Sequence, residues 1–235
     1  PLNIDFRDDY SPSSVCQYKG YTYVGMGDGS MERINPDGSI TCPFLKLPGD
    51  VVGVIVYQER LHCLADDGQH HARAPNKQSI HVYDLNGIKL HTWKHGDRSS
   101  ELSGRKLTIV NDQLIVANRS HKNFTIYTLK GKRVNEIKCD LLSEVNEIKC
   151  DLLSDEDFTT ICHTGNESVI VSRPSANPEL FKVNLKLGDV EWRSNRAEKP
   201  IGVTTLSKDY AVVISHEENQ CTKFFVINSF TGHYV

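Results

Sequence analysis

The sequence has 235 residues, and its 27 Lys and Arg against 30 Asp and Glu give a formal net charge of -3. This balance gives no electrostatic reason to expect DNA or an anionic membrane as a partner. No apolar run approaches the roughly 20 residues that cross a bilayer, and the first residues, PLNIDFRDDY, lack the basic and apolar regions of a signal peptide. We therefore expect a soluble chain that does not bind membranes.

Five phrases of about 45 residues follow one another along the chain, and each predicts four β-strands. A glycine turn precedes the last strand of each phrase, at Asp37-Gly38, Asn86-Gly87, Lys130-Gly131, Leu187-Gly188 and Thr231-Gly232. The period is too long for short solenoid repeats and fits the blades of a β-propeller. We predict an all-β fold: one β-propeller domain over residues 1–235, with four-stranded antiparallel blades at approximately 10–50, 51–97, 98–143, 155–199 and 200–235.

The second phrase has the clearest turn, Asn86-Gly87, which lies between alternating apolar residues. Asn-Gly favours a two-residue hairpin loop in which both central residues have a positive φ. We therefore predict a type I′ turn at these two residues.

Two segments affect the count of blades. The run VNEIKCDLLS at 134–143 recurs letter for letter at 145–154, and loops accommodate insertions at small free-energy cost, so we expect 144–154 to be a surface insertion.

The five phrases leave open a five-bladed ring and a six-bladed ring with one blade outside this sequence. We favour closure by the first residues, PLNIDF, added as a strand to the last blade, because an open ring leaves sheet edges bare.

Cysteines and glycosylation sequons point to different compartments. The seven cysteines are odd in number and scattered through apolar strand patterns, which favours free thiols in the reducing cytoplasm. Three sequons, at Asn118, Asn123 and Asn166, would be usable in a secreted chain. We predict a cytoplasmic protein and keep a secreted one as the alternative.

The runs LHCLADDGQ…SIHVYDLNGIKLHTW and LIVANRSHKNFTIYTLKGKRV resemble divergent NHL repeats, the blades at the C-terminal end of tripartite-motif (TRIM) ubiquitin ligases. Ala65-Asp66 and Ala117-Asn118 match the middle of the NHL phrase. The arginine that the family places at the start of the third strand is missing from most copies, with Arg33 a shifted candidate in the first. The resemblance implies a propeller whose loop face binds protein or RNA, and a substrate-recognition role within a TRIM-like ligase.

The second strands of the five phrases end at equivalent places, which share one face of a propeller. We predict that the polar residues there and in the following loops bind the partner, namely Asp28, Asp66, Arg73, Asn118, Arg119, Lys122, Arg173 and His216. RNA recognition favours aromatic platforms beside such cations. The nearby aromatic residues are Phe124 and Tyr127, which we expect in the core. Protein is therefore the predicted partner, with RNA as an alternative.

The sequence contains no GxSxG, no HExxH and no nucleotide-binding glycine loop. The pair His70-His71 does not favour a metal site, because adjacent residues of a strand point to opposite faces. We predict a non-catalytic recognition and scaffold module without cofactor or metal. The alternative is a propeller hydrolase, a lactonase or a sugar-binding lectin that acts at the mouth of the central channel.

Overall fold

The computed structural model describes residues 12–66, 78–96, 104–118, 123–138, 160–164, 167–173, 178–187, 189–195, 200–216 and 222–235. Within these ranges the chain forms 19 β-strands joined by turns. The same ranges contain no helix long and apolar enough to cross a membrane. The chain divides into two compact units, one up to Leu107 and one from Thr108 onward.

The first unit contains two four-stranded antiparallel sheets, in each of which every strand pairs with the next along the chain. The first sheet consists of β1 (Pro12–Tyr18), β2 (Tyr21–Met26), β3 (Ser30–Ile34) and β4 (Ile40–Lys46). The second sheet consists of β5 (Asp50–Tyr57), β6 (Arg60–Asp66), β7 (Gln78–Asp84) and β8 (Lys89–His95). Buried side chains of both sheets pack into one apolar cluster that includes Tyr23, Met31, Leu61 and Cys63.

The second unit begins inside a strand of the third sheet and contains the remaining strands. The third sheet consists of β9 (Gly104–Val110), β10 (Gln113–Asn118), β11 (Asn123–Thr128) and β12 (Arg133–Lys138). The fourth consists of β13 (Thr160–His163), β14 (Ser168–Arg173), β15 (Glu179–Asn184) and β16 (Val190–Ser194). The fifth consists of β17 (Pro200–Thr205), β18 (Tyr210–His216) and β19 (Thr222–Asn228).

The five sheets follow the order of the five predicted repeats, although β5 begins at Asp50, one residue before the predicted second repeat. The all-β prediction is confirmed. In the fifth sheet, a single bridge between Ile227 and Tyr234 stands where the repeat predicts a fourth strand. The added strand PLNIDF, the insertion 144–154 and the strand placement of His70-His71 lie outside the described residues.

The turn at Asn86-Gly87 is not of type I′, so that prediction is wrong. Gly87 has a φ of +86°, but Asn86 is not among the described residues with a positive φ. The Asp84 carboxylate accepts hydrogen bonds from the N–H groups of Asn86 (2.9 Å) and Ile88 (2.8 Å). The Asp84 N–H donates to the Ile88 carbonyl at 2.9 Å. The aspartate side chain thus closes a longer loop that needs only one left-handed residue.

Loops with a positive φ at both of their residues are found instead between the first two strands of three sheets. They lie at Lys19-Gly20, Gln58-Glu59 and Asn111-Asp112. A two-residue loop of this type matches the right-handed twist of the strands and fixes their register.

His62 is a buried histidine of β6, with 1% of its surface exposed. It lies opposite Ile55 of β5 and Val82 of β7, and burial lowers its pKa from 6.5 to about 4. In the unfolded chain the imidazole has its ordinary pKa. Between these two values the unfolded chain binds more protons, so stability is lost as the pH falls through this window.

We predict that the free energy of unfolding is about 2 kcal/mol lower at pH 5 than at pH 7 because of His62. Urea unfolding of the wild type and of His62→Gln at the two pH values measures this difference. The variant, which lacks the ionisable ring, should retain only the smaller remainder that comes from other groups. An equal loss in both proteins would show that His62 is not the cause.

Candidate partner-binding site

The second strand of each sheet ends at or near a residue that the sequence analysis selected. β6, β10, β14 and β18 end at Asp66, Asn118, Arg173 and His216, and Asp28 lies two residues beyond the end of β2. The remaining three candidates, Arg73, Arg119 and Lys122, lie outside the described residues. The equivalence of the strand ends is therefore present in the topology, while partner binding by these residues stays a prediction.

Asp28 lies in the turn between β2 and β3, where its own sheet holds the carboxylate. Oδ1 accepts hydrogen bonds from the Ser30 N–H (2.8 Å) and hydroxyl (2.5 Å), and Oδ2 is 3.0 Å from the Lys46 Nζ. Partial burial raises the pKa of Asp28, but these hydrogen bonds and the Lys46 charge outweigh it and lower the pKa to about 2. Its own sheet thus holds the Asp28 carboxylate in place, whereas the Lys46 side chain, which is 58% exposed, faces solvent.

A row of polar residues crosses the second sheet where β6 ends. Asp66 lies opposite Asp50 of β5 and Gln78 of β7, and Gln78 lies opposite His95 of β8. Gln78 and His95 are buried, whereas the two aspartates are half-buried. Two carboxylates therefore lie directly opposite each other at this end of the sheet, in a row with a buried amide and a buried imidazole.

The turn that contains Asp28 adjoins the segment that leads into Asp50. The Leu47 N–H donates to the Gly29 carbonyl at 2.8 Å, and a Cβ atom at Gly29 would lie 2.6 Å from the Gly49 carbonyl oxygen. The first two sheets therefore present polar residues along one edge of the first unit. We call this group the acidic edge; it consists of Asp28, Lys46, Asp50 and Asp66.

Asn118, in the second unit, is fully buried. Its Nδ2 donates to Asn123 Oδ1 (2.6 Å) and to Thr125 Oγ1 (2.8 Å), and Asn123 Nδ2 donates to Glu136 Oε1 (2.5 Å). Glu136 also forms an ion pair with Arg133. A side chain without exposed surface cannot contact a partner, so we leave Asn118 out of the site. The same burial shields Asn118 and Asn123, two of the sequon asparagines, in the folded chain.

The other two candidates of the second unit are placed by their backbone. Arg173 lies opposite Glu179 of β15, and His216 lies opposite Thr222 of β19. Both are the last residues of second strands, which is the position of Asp66 in the first unit. Within the described ranges, no group of three His, Cys, Asp or Glu side chains is placed to hold a metal ion.

The sequence analysis did not select Lys46, Asp50, Gln78 or His95. Each lies in a first, third or fourth strand, so its place beside a second-strand end depends on strand register. The register of β5 with β6 begins at the Gln58-Glu59 loop, which contains no glycine. A register shift between Val51 and Gly53 then brings Asp50 opposite Asp66, so the turn alone does not predict the position of Asp50.

No protein-family model matches the sequence, and no curated protein matches it. Several solved structures, however, have a similar fold. A protein of unknown function from Bacteroides caccae has a TM-score of 0.68 at 12% identity over 98% of this chain and 83% of that chain. The WD40 β-propeller domain of Doa1 has a TM-score of 0.62 at 10% identity, with 97% and 68% covered. The WD40 domain of Neurospora crassa Pan2 has a TM-score of 0.62 at 9% identity, with 93% and 63% covered.

These similarities show the fold. The chain is a β-propeller of the kind found in WD40 domains, built from antiparallel blades, as the repeat predicted. It spans between 63% and 83% of the length of the three structures.

Proposed function

We propose that the chain is a non-catalytic recognition module that binds a protein partner through the loops at the ends of the second strands. The observation that carries this proposal is the acidic edge, where two sheets bring three carboxylates and one lysine together. A β-propeller fold of the WD40 kind is consistent with a protein-interaction scaffold. Lys46, Asp50 and Asp66 lie at strand ends, where pairing with neighbouring strands holds their backbone, which lowers the entropic cost of binding.

The charge of the acidic edge indicates what its partner carries. Lys46 forms an ion pair with Asp28, and Asp50 lies directly opposite Asp66, so the acidic edge carries three carboxylates and one lysine. We therefore propose that the partner presents lysine or arginine to this edge. Complementary charge accelerates association and is screened by salt, so the association rate should fall as the ionic strength rises.

We further propose that the module belongs to a TRIM-like ligase in the cytoplasm, where it selects the substrate. The NHL resemblance supports this role. The buried free thiols of Cys63 and Cys162 support a reducing compartment, since an oxidising lumen would favour paired cysteines.

Hydrogen exchange with a captured partner tests the proposed face. Proximity labelling in cells identifies candidates, and the purified candidate is then mixed with the full chain. We expect slower exchange of the amides in 26–30 and 46–50, which surround the acidic edge. Slower exchange confined to the loop at 57–60, at the other end of the second sheet, would place the partner on the wrong side for this proposal.

A further inference from the structure

A groove with a volume of about 340 Å³ lies in the second unit, at the end of the sheets opposite Asn118 and Arg173. The third and fourth sheets both line it, with residues from the β9–β10 loop, from the β13–β14 connection and from the turn after β15. Binding pockets for small ligands begin at about 300 Å³. The groove is therefore large enough to enclose a side chain and the backbone next to it.

The floor of the groove is apolar. It is formed by Val110, Ile115, Ile126 and Leu185, each exposed by 7% or less. The Leu185 N–H donates to the Glu167 carbonyl at 2.8 Å, which fixes the floor on the side of the fourth sheet. Water in contact with such a floor finds few hydrogen-bond partners, so an apolar group can displace it favourably.

The rim of the groove carries three carboxamides, from Asn111, Gln113 and Asn135. Asn135 Oδ1 accepts the Glu136 N–H at 2.8 Å, which leaves the Asn135 amide group as a donor. In the described part of the chain, the side chains of Asn111 and Gln113 make no hydrogen bond. A carboxamide offers one acceptor and two donors, which match the N–H and C=O of a peptide group.

The charges of the residues that line the groove cancel. Glu167 and Lys186 lie on its rim and contribute one charge of each sign, so the groove has no net attraction for phosphate. Val134, with 49% of its surface exposed, extends the apolar surface of the floor up to the rim. The complementary ligand is therefore neutral, with one apolar group and several hydrogen-bonding groups.

We propose that this groove binds an extended segment of a partner protein, with one leucine or isoleucine side chain on the floor and its flanking peptide groups paired with the carboxamide rim. The site lies at the other end of the sheets from the second-strand ends. It goes beyond the proposed function, and it can be present whether or not the acidic edge binds.

Titration of capped tripeptides into the full chain, followed by two-dimensional amide (nitrogen–hydrogen correlation) NMR spectra, tests this site. The peptide Ac-Gly-Leu-Gly-NH2 should shift the amide signals of 111–115, 134–135 and 185–186 with a millimolar Kd, whereas Ac-Gly-Gly-Gly-NH2 should leave them in place. Val134→Lys, which puts a charge on the apolar rim, should weaken leucine-peptide binding about fivefold or more. The matched control is Leu187→Lys, at an exposed leucine that does not line the groove; it should keep the wild-type Kd.

Several results would overturn the groove proposal. These are the absence of shifts with the leucine peptide, shifts confined to other residues, equal weakening by the two lysine variants, and shifts at the groove with maltose or a short RNA but not with the peptide. A melting-temperature measurement confirms that both variants are folded. Asp66→Lys, which alters the acidic edge, should leave peptide binding unchanged, so failure of the proposed function and failure of this one are distinguishable.

Discussion

Replacing Gly29 by alanine is expected to lower the free energy of unfolding by about 3 kcal/mol. Gly29 has a φ of +86°, a conformation in which any Cβ atom is strained. A Cβ there would also lie 2.6 Å from the Gly49 carbonyl oxygen and 2.9 Å from that of Leu47. Both contacts are with backbone, which cannot rotate away as a side chain can. Urea unfolding of wild type and Gly29→Ala measures the effect.

Gly87 provides the matched control for this prediction. It has the same φ of +86°, but a Cβ there would meet the Phe44 ring at 3.6 Å, an ordinary van der Waals distance. Gly87→Ala should therefore show the backbone strain alone, about 1–2 kcal/mol. If both variants lost the same stability, the packing of the Asp28 turn against the 47–49 segment would not be the cause of the larger effect.

Replacing Glu191 by leucine is expected to cost about 3 kcal/mol, because it leaves a charge buried without its counter-ion. The Lys182 side chain is 5% exposed, and its Nζ is 2.7 Å from Glu191 Oε2. The Ser168 hydroxyl donates to the other carboxylate oxygen at 2.5 Å. Partial burial raises the pKa of Glu191, but the hydrogen bonds from Lys182 and Ser168 outweigh it and lower the pKa. Thermal and urea unfolding of Glu191→Leu measure the loss.

Two further variants distinguish the stability contributed by this buried ion pair from that of an exposed one. The double substitution Lys182→Met with Glu191→Leu removes both charges, so it should recover most of the stability that Glu191→Leu loses. Glu59→Gln breaks the Lys19–Glu59 pair, whose side chains are 61% and 65% exposed, and should leave the melting temperature unchanged. A double variant as unstable as Glu191→Leu would assign the loss to altered packing instead.

The number of sheets could be predicted because the turn signal is local. A glycine stands before the predicted last strand of every repeat, and Gly38, Gly87, Gly131 and Gly232 all have the positive φ that makes glycine favourable there. The type of turn could not be predicted from Asn-Gly alone. Asp84, two residues upstream, supplies a competing acceptor for the loop N–H groups, and dipeptide preferences do not include it.

The candidate site was harder to predict because it depends on strand register. Tyr57 pairs with Arg60 across the Gln58-Glu59 loop, and regular pairing from there would place Asp66 opposite Val51. A bulge between Val51 and Gly53 shifts the register by one residue, so that Asp50 lies opposite Asp66 instead. Gly53, an isolated glycine within β5, is a local sign of a bulge, but it does not give the direction in which the register shifts. The opposition of Asp50 and Asp66 is therefore seen only in the folded sheet.

Two residues at equivalent positions of the repeat, Asp66 and Asn118, differ in how far they are buried. Asp66 and Asn118 both end second strands, and both are polar. Asn118 is fully buried, and Asn123 and Thr125 of the neighbouring strand accept its amide hydrogen bonds, which offsets the cost of burying it. Asp66 lies half-buried opposite another aspartate. Whether a strand-end residue is exposed thus depends on the residues across the hairpin, which a repeat pattern does not reveal.

The affinity of the captured partner for two charge-reversal variants tests the central claim most directly. Glu59→Lys and Asp66→Lys each reverse one carboxylate, immediately before and at the end of the same strand, β6. Titration calorimetry should show binding about tenfold weaker for Asp66→Lys, a loss of about 1.4 kcal/mol, and wild-type affinity for Glu59→Lys. Wild-type affinity for a folded Asp66→Lys, or weaker binding for Glu59→Lys alone, would contradict recognition through the ends of the second strands.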